Sequence, residues 1–306
     1  MKHIHFIINP ISGTGENRVS EELIHEYFPE AEGYKTPIFY TKYKFHAKEL
    51  TLACIEAKPD IIVASGGDGT INEVAGSVVG TGIALGIIPA GSGNGLASNL
   101  NIPKDHKEAL QLIKEGTEIK IDVGSVNGNY FFSNSGMGFD AQVIKNYEAS
   151  NERTITSYVK SSMKALRELA SQHKYSVQID NKTIECQPFM IFVSNSNELG
   201  YNFSLTPKAS LMDGNLDVLV VSKINKIKAL LFAFLMLFKK HESLKEVQVY
   251  TAKSIDVTSQ NNQPIEFQLD GEVKKSDSNT LQYSILENAL SILVPNNSSK
   301  NNKDSQ

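Results

Sequence analysis

The sequence predicts an α/β N-terminal domain followed by a β-rich, sandwich-like C-terminal domain. Three observations carry that expectation. Over roughly the first hundred residues, short apolar runs rich in β-branched side chains alternate with amphipathic helical stretches, and glycine-containing loops follow three of the runs, as in a parallel sheet with helical crossovers. From residue 118 onward the pattern changes to short alternating runs separated by turn signals. The chain has 306 residues, 41% hydrophobic and 21% charged, an ordinary globular composition long enough for two cores.

The α/β part is organised around residues 61–76, IIVASGGDGTINEVAG. Ile61, Ile62, Val63 and Ala64 form a buried-strand run between Pro59-Asp60 and a glycine loop. Thr70 is positioned to cap the helix that follows, with Ile71, Val74 and Ala75 facing inward. Gly66, Gly67 and Gly69 let an anion approach bare N–H groups at a helix N-terminus, which makes the loop a phosphate cradle. Asp68 stands in its middle, where a carboxylate repels phosphates unless a metal ion or a proton transfer engages it. The glycines, rather than Asp68, are expected to set the loop backbone.

Before this core, residues 4–8 make the first strand, and Asn9-Pro10-Ile11-Ser12-Gly13-Thr14-Gly15 precedes a helix at about 16–27. Residues 37–40 make a further strand ending at Thr41, followed by a helix at about 45–57. After the core come a strand at 83–88, the loop Gly91-Ser92-Gly93-Asn94-Gly95, and a helix at 107–114. Glycine loops at the carboxyl ends of parallel strands gather where ligands bind. None is a Walker or dinucleotide fingerprint, because no loop has the Walker lysine and Leu96 stands where the dinucleotide loop needs its last glycine.

The second part opens with runs at 118–126 and 130–134 joined at Asn127-Gly128, a strong hairpin signal. A helix at about 156–171 follows, then strands at 175–179, 189–194, 216–221, 246–250, 254–257, 265–269 and 281–285. The last apolar run, 290–294, is expected to return to the first domain. The domain expectation is therefore residues 1–125 with 288–295 returning, 126–287 as the β-rich domain, and 296–306 as a disordered polar tail.

A formal net charge of −4 with a pI near 6.0 and no lysine/arginine stripe argues against a nucleic-acid partner. Cys54 and Cys186 lie outside any metal-ligand spacing and read as unpaired thiols of a reducing compartment. No secretory h-region follows Met1, so a cytoplasmic setting is expected. Residues 229–238 are ten consecutive apolar residues, half of what a bilayer crossing needs. They read as a helix buried on all sides or packed over the sandwich, with a membrane-dipping edge as the alternative. His173 and His241 read as surface residues, and His46 as structural.

With these loops in view, the chain resembles the diacylglycerol kinase catalytic family, whose signature loops bacterial lipid kinases and sphingosine kinases share. The resemblance rests on Asn9-Pro10-Ile11-Ser12-Gly13, Gly66-Gly67-Asp68-Gly69-Thr70-Ile71-Asn72-Glu73 and Pro89-Ala90-Gly91-Ser92-Gly93-Asn94. It extends through Ile121-Asp122-Val123-Gly124, the segment from Asn134 to Asp140, Asp213-Gly214-Asn215-Leu216-Asp217 and Leu269-Asp270-Gly271-Glu272. Together these matches cover about residues 3–294 in order.

The resemblance implies an N-terminal domain shaped like those of NAD kinases and phosphofructokinases, a C-terminal β-sandwich, ATP in the cleft, and transfer of its γ-phosphoryl to a lipid hydroxyl. It assigns nucleotide contacts to Asn9, Ser12, Gly13, Thr41, Gly66, Gly67, Asp68, Gly69, Thr70, Ile71, Asn72, Gly91 and Ser92. It assigns Mg²⁺ to Ser210, Asp213 and Asn215, two of them through backbone carbonyls. Asp68, Asp270 and Glu272 are the candidate catalytic carboxylates, and Glu272 matches the proposed proton acceptor. The substrate expectation is diacylglycerol or a related membrane lipid, met by peripheral contact with the inner face of the membrane.

The third loop, Gly91-Ser92-Gly93-Asn94-Gly95-Leu96, departs from the Gly-Thr-x-Asn-Asp-Phe form of many bacterial diacylglycerol kinases and looks nearer to sphingosine kinases. That keeps a sphingoid base open as substrate, with Asp122 a candidate for its amine. An NAD kinase and a non-catalytic lipid-binding regulator are the remaining alternatives, and the sequence leaves a homodimer open.

Overall fold

The structure, a computed structural model, describes residues 1–12, 19–91, 93–150, 154–168, 173–197 and 204–296. The chain divides into two compact units, Met1–Ile121 with the segment returning from Asn288, and Asp122–Glu287. The expected tail beyond Asn296, together with Gly13 and Ser92, lies outside the described residues.

The first unit carries β1 (Lys2–Ile8), α1 (Glu21–Tyr27), β2 (Tyr34–Lys35), β3 (Ile38–Tyr40), α2 (His46–Glu56), β4 (Ile61–Gly66), α3 (Asp68–Val78), β5 (Ala84–Pro89), α4 (Gly95–Asn99), α5 (His106–Glu115) and the start of β6 (Thr117–Val126). β1 is the hub, pairing in parallel with β2, β3 and β4, and β4 pairs in parallel with β5. Every residue of β4 and β5 is buried, which is why both read as unbroken apolar runs rather than alternating ones. The registers Ile8↔Tyr40, Ile8↔Ser65 and Gly66↔Pro89 bring the carboxyl ends of four strands level. The loops after β1, β3, β4 and β5 therefore open on one edge of the sheet.

Local sequence fixes the helices. Ser20 caps α1 by accepting from Leu23 N, and Asp105 caps α5 by accepting from Lys107 N and Glu108 N. The apolar face of α5, Ala109, Leu110, Leu112 and Ile113, is buried. Of the helix expected at 16–27 the described part is Glu21–Tyr27, and Glu16 to Arg18 lie outside the described residues. Thr70 is not a cap. Gly67 takes the extended capping conformation, the helix starts at Asp68, and Thr70 is buried within its first turn.

The second unit continues β6 and adds β7 (Asn129–Phe131), β8 (Asn134–Gly138), α6 (Phe139–Glu148), α7 (Ile155–Glu168), β9 (Tyr175–Ile179), β10 (Lys182–Cys186), β11 (Pro188–Ser194), β12 (Leu216–Ser222), α8 (Lys226–Leu237), β13 (Val247–Ala252), β14 (Ser254–Ser259), β15 (Glu266–Leu269), β16 (Glu272–Lys275) and the first part of β17 (Thr280–Val294). One antiparallel sheet runs β13-β12-β11-β8-β15-β16. Facing it, β10, β9, β14 and β17 pair antiparallel, and β6 and β7 form the hairpin announced by Asn127-Gly128. The shared core takes alternate residues of both layers, Ile191, Val193, Leu216, Val218 and Val220 meeting Val177, Ile255, Val257 and Leu281. The intervening residues Met190, Phe192, Leu219 and Val221 pack on the other face of the first sheet with Ala229 and Phe232 of α8. The unit is thus a β-sandwich with helical cover.

The sequence reading does not contain the short β2, β8, α6, β10 or β16, and for three of these the physical reason is plain. β8 is Asn-Ser-Gly-Met-Gly, with almost no β-branched or aromatic content, and its pairing with β11 and β15 decides it. α6 begins where Gly138 adopts φ 75°, a start that propensity does not announce. β16 carries two lysines in four residues at a sheet edge. The two runs read at 281–285 and 290–294 are one strand, β17, whose last residues return to the first unit, Ile292 pairing with Leu85. His241 is fully buried and meets Leu205 O through Nε2 at 2.8 Å, a correction to its expected surface place.

Candidate active site

In the first unit the loop edge is held together by hydrogen bonds that join segments distant in sequence. Asn9 donates through Nδ2 to Thr70 Oγ1 at 3.1 Å and accepts from Ile11 N through Oδ1 at 3.1 Å. That single side chain ties the loop after β1 to the first turn of α3. Ser12 N donates to Asn9 O at 3.3 Å, and Thr41 N donates to Ile8 O at 2.9 Å, which keeps both loops against the β1 end.

Asp68 does what the sequence did not reveal. Its Oδ2 accepts from Asn94 N at 2.8 Å and its Oδ1 from Gly95 N at 2.7 Å, so the carboxylate at the start of α3 braces the loop after β5. Asn94 completes the brace. It is buried in the left-handed conformation with φ 55°, accepts from Gly91 N at 3.0 Å, and donates to Gly91 O at 2.6 Å. The two loops touch through their glycines, since a Cβ on Gly91 would sit 2.8 Å from Gly67 Cα. Any larger residue at Gly91 would push the two glycine loops apart.

Gly66, Gly67, Asp68, Gly69, Thr70, Ile71 and Asn72 thus run from the end of β4 into the first turns of α3, and the N-terminus of such a helix, which has no side-chain cap here, is the kind of backbone that binds anions. Glu73 has a different task. It accepts from Phe45 N at 3.1 Å and Lys48 N at 3.3 Å, capping α2 from a neighbouring helix. His46 Nδ1 accepts from Lys42 N at 3.0 Å and its ring stacks on Tyr43, which makes it a brace of the loop after β3, in line with its structural reading.

In the second unit Asp270 and Gly271 form the two-residue turn of the β15–β16 hairpin, with φ 47° and 83° and Leu269 paired to Glu272. The Asp270 carboxylate accepts three backbone N–H groups, from Phe132 at 2.8 Å, Ser133 at 2.8 Å and Asn134 at 2.9 Å. It is therefore the anchor that breaks β7 from β8. Glu272 heads β16, half-buried, with Lys274 Nζ 3.0 Å from its Oε2.

Beneath this turn runs a buried polar chain. Gln268 Nε2 donates to Asn134 Oδ1 at 2.7 Å and to Asp140 Oδ2 at 2.8 Å, while its Oε1 accepts from Gly271 N at 2.9 Å. Burial pushes the Asp140 carboxyl up to about 6, with the Gln268 hydrogen bond working against it. A Cβ on Gly136 would lie 2.0 Å from Asp140 Oδ2, so only glycine fits opposite this carboxyl.

The residues of the expected cation loop lie together in one turn before β12. Ser210 Oγ accepts from Met212 N at 3.3 Å, Asp213 Oδ1 from Asn215 N at 3.0 Å, and Asp213 O from Asn215 Nδ2 at 2.7 Å. Asp122 holds this turn from inside, its buried carboxylate accepting from Gly214 N at 2.7 Å. Asp217 is pushed up to about 6, first by burial and then by the nearby Asp213 charge. The described residues contain no cluster of three or more His, Cys, Asp or Glu side chains placed for a metal.

Residues 3–126 match the family model of the diacylglycerol kinase catalytic domain, and residues 134–294 match that of the YegS C-terminal NAD kinase beta sandwich-like domain. The chain belongs to the diacylglycerol kinase family. The family assignment agrees with the two units, the α/β one with its loop edge and the β-sandwich one. A diacylglycerol kinase from Bacillus subtilis (strain 168) is 29% identical over 278 residues, covering 89% of this chain and 90% of that protein. A diacylglycerol kinase from Staphylococcus aureus (strain JH9) is 28% identical over 312 residues, covering 96% and 93%. Among solved structures, that of a diacylglycerol kinase from Bacillus anthracis str. Sterne superposes with a TM-score of 0.71 at 22% identity over 97% of this chain and 98% of the other, a likeness of fold.

Sequence reasoning missed Asn94, Glu73, Asp140 and Gln268 as working parts of these sites. Asn94, Glu73 and Asp140 stand inside the motifs that carried the resemblance, and nothing in one sequence says what they touch. Gln268 had a weak signal of its own: a polar residue in the middle of a predicted apolar strand, where burial demands a partner.

Proposed function

We propose that this kinase transfers the γ-phosphoryl of ATP to a lipid hydroxyl, with diacylglycerol as acceptor and phosphatidic acid as product. The observation that carries the reading is the braced pair of glycine loops, in which Asp68 and Asn94 lock the loops after β4 and β5 with backbone N–H groups at a helix N-terminus. Phosphoryl transfer asks mainly for positioning and charge neutralisation, which such a preorganised cradle supplies. The cradle binds and orients the polyphosphate. Glu272 takes the proton of the acceptor hydroxyl, and Asp270 fixes the hairpin turn that presents it.

The donor set of the turn from Ser210 to Asn215 is hydroxyl, carboxylate and amide oxygen, the hard ligands that suit Mg²⁺, and the Asp213 charge raising Asp217 is an excess that a cation would offset. Ser210, Asp213 and Asn215 would hold it, largely through carbonyls and water. When bound, Mg²⁺ supplies positive charge against the phosphates.

Asp122, the residue considered for a sphingoid amine, is buried and already accepts from Gly214 N, which favours a neutral glycerolipid acceptor. No helix among the described residues is long and apolar enough to cross a membrane. Our reading is of a protein that meets its lipid at the inner membrane face from the cytoplasm, without nucleic acid, and with homodimer formation as a further proposal. Radiolabelled ATP presented with diacylglycerol, monoacylglycerol, ceramide, a sphingoid base, phosphatidylglycerol and, separately, NAD tests it. Label in phosphatidic acid alone is the expected result. Label in phosphorylated sphingoid base or NADP, or in none, overturns the assignment.

A further inference from the structure

α8 has two apolar faces, and among the described residues only one of them is covered. At roughly 100° per residue, Ala229, Phe232 and Met236 fall on one side and pack on the sheet cluster. Ile227, Leu230, Leu231, Phe234, Leu237 and the cap residue Phe238 fall within an arc of roughly 120° on the other side. These six are 44 to 79% exposed. The fold does not need them there, because the buried face already anchors the helix. A contiguous exposed stripe of this size marks an interaction surface.

The charges around the stripe say what covers it. Lys223, Lys226, Lys228, Lys239 and Lys240 flank or enter the helix, and no Asp or Glu occurs from residue 223 to residue 240, in a chain whose net charge is −4. Lys223, Lys226, Lys239 and Lys240 are exposed, and Lys228 pairs with Glu246. An apolar stripe with lysines at both ends matches the interface of an anionic bilayer, where the stripe enters the acyl boundary and lysine stems carry their ammonium groups to the headgroups. A second copy of the chain fits poorly, since an isologous contact would bring the exposed Lys223, Lys226, Lys239 and Lys240 of one stripe against the same four of the other with no acid in the segment.

We propose that α8 is the membrane-docking element of this protein, its outer face from Ile227 to Phe238 lying in the interface of a bilayer that carries anionic lipid. The proposal rests on the lipid-kinase reading for its purpose, but not for its test.

The test is flotation of the full chain with vesicles of phosphatidylcholine alone or with 30% phosphatidylglycerol, all without diacylglycerol, beside phosphotransfer in detergent micelles. Wild type is expected to float with the anionic vesicles and to be released by salt. Phe234→Ser with Leu237→Ser should lower partitioning at least tenfold. Lys226→Gln with Lys239→Gln and Lys240→Gln should lower it roughly a hundredfold, at about fivefold per lysine. Both variants should keep the wild-type melting midpoint and micelle turnover, because the altered side chains are exposed. Variants that float like wild type overturn the proposal, and so does a wild-type dimer that the apolar variant splits, which would make the stripe a protein interface. If no lipid is phosphorylated while flotation behaves as described, the kinase reading falls and the docking surface stands.

Discussion

Asp68→Asn is the sharpest probe of how the two glycine loops are held. The carboxylate receives N–H groups from Asn94 and Gly95 at 2.8 and 2.7 Å, one on each oxygen. An amide keeps one acceptor oxygen but turns an NH₂ toward the other N–H, so one hydrogen bond is lost and a donor faces a donor. Losing a charge-assisted bond and stranding a partner costs about 2–3 kcal/mol, and the missing negative charge at the start of α3 adds about 0.5 kcal/mol. The first unit should lose about 2–4 kcal/mol, a fall of roughly 5–15 °C in its melting midpoint. Expected alongside are faster hydrogen exchange at the Asn94 and Gly95 amides and weaker ATP binding by calorimetry. The sequence reading, in which the glycines set the loop, has this substitution leaving the fold intact. A midpoint within 1 °C of wild type with unchanged amide protection would refute the bracing role and return Asp68 to metal or proton chemistry alone.

Glu272→Gln preserves shape and removes basicity, so kcat should fall roughly 10²–10⁴-fold while ATP affinity, read by calorimetry, stays within a few fold. Turnover near wild type would remove Glu272 as proton acceptor. Asp270→Asn confronts three inward N–H donors with a neutral side chain of which one end is itself a donor, and should destabilise the second unit by about 2–4 kcal/mol in urea titration. Asp140, held at about 6 against an ordinary value of 3.8, binds its proton more tightly when folded. The stability it contributes is complete below its ordinary value and is lost as pH rises toward 6, about 3 kcal/mol in all. Urea midpoints of Asp140→Asn should therefore fall less than those of wild type between pH 4 and 7, with the variant the more stable at pH 7.5. Asp217, also near 6, retains part of the slope.

The parallel core was legible because its strands are buried on both faces and its loops are glycine-rich, two properties that composition alone records. What composition does not record is which distant segments the register brings level. Gly66 pairs with Pro89, and that pairing, not any local pattern, places Asp68 within reach of amides at positions 94 and 95. The same holds for His241, polar by type, which is enclosed only once α8 folds over it. For α8 the ten apolar residues allow either burial on all sides or packing over the sandwich, and the sheet, with room for only one face of the helix, decides for the second.

The three candidate catalytic carboxylates, Asp68, Asp270 and Glu272, show why the site needs geometry as well as pattern. Each is an Asp or Glu beside a glycine, and chain order gives no reason to rank them. Their partners do. Asp68 faces two amides of a neighbouring loop and Asp270 three amides of a strand break, so each is committed to holding backbone. Glu272 is met by the Lys274 ammonium, a mobile partner on its own strand that can swing aside, whereas a backbone amide cannot. A general base must exchange its partner for a substrate proton during the reaction. In the proposed reaction Glu272 has in Lys274 a partner that can give way to a substrate proton, and Asp270 gives the turn that carries Glu272 its rigidity.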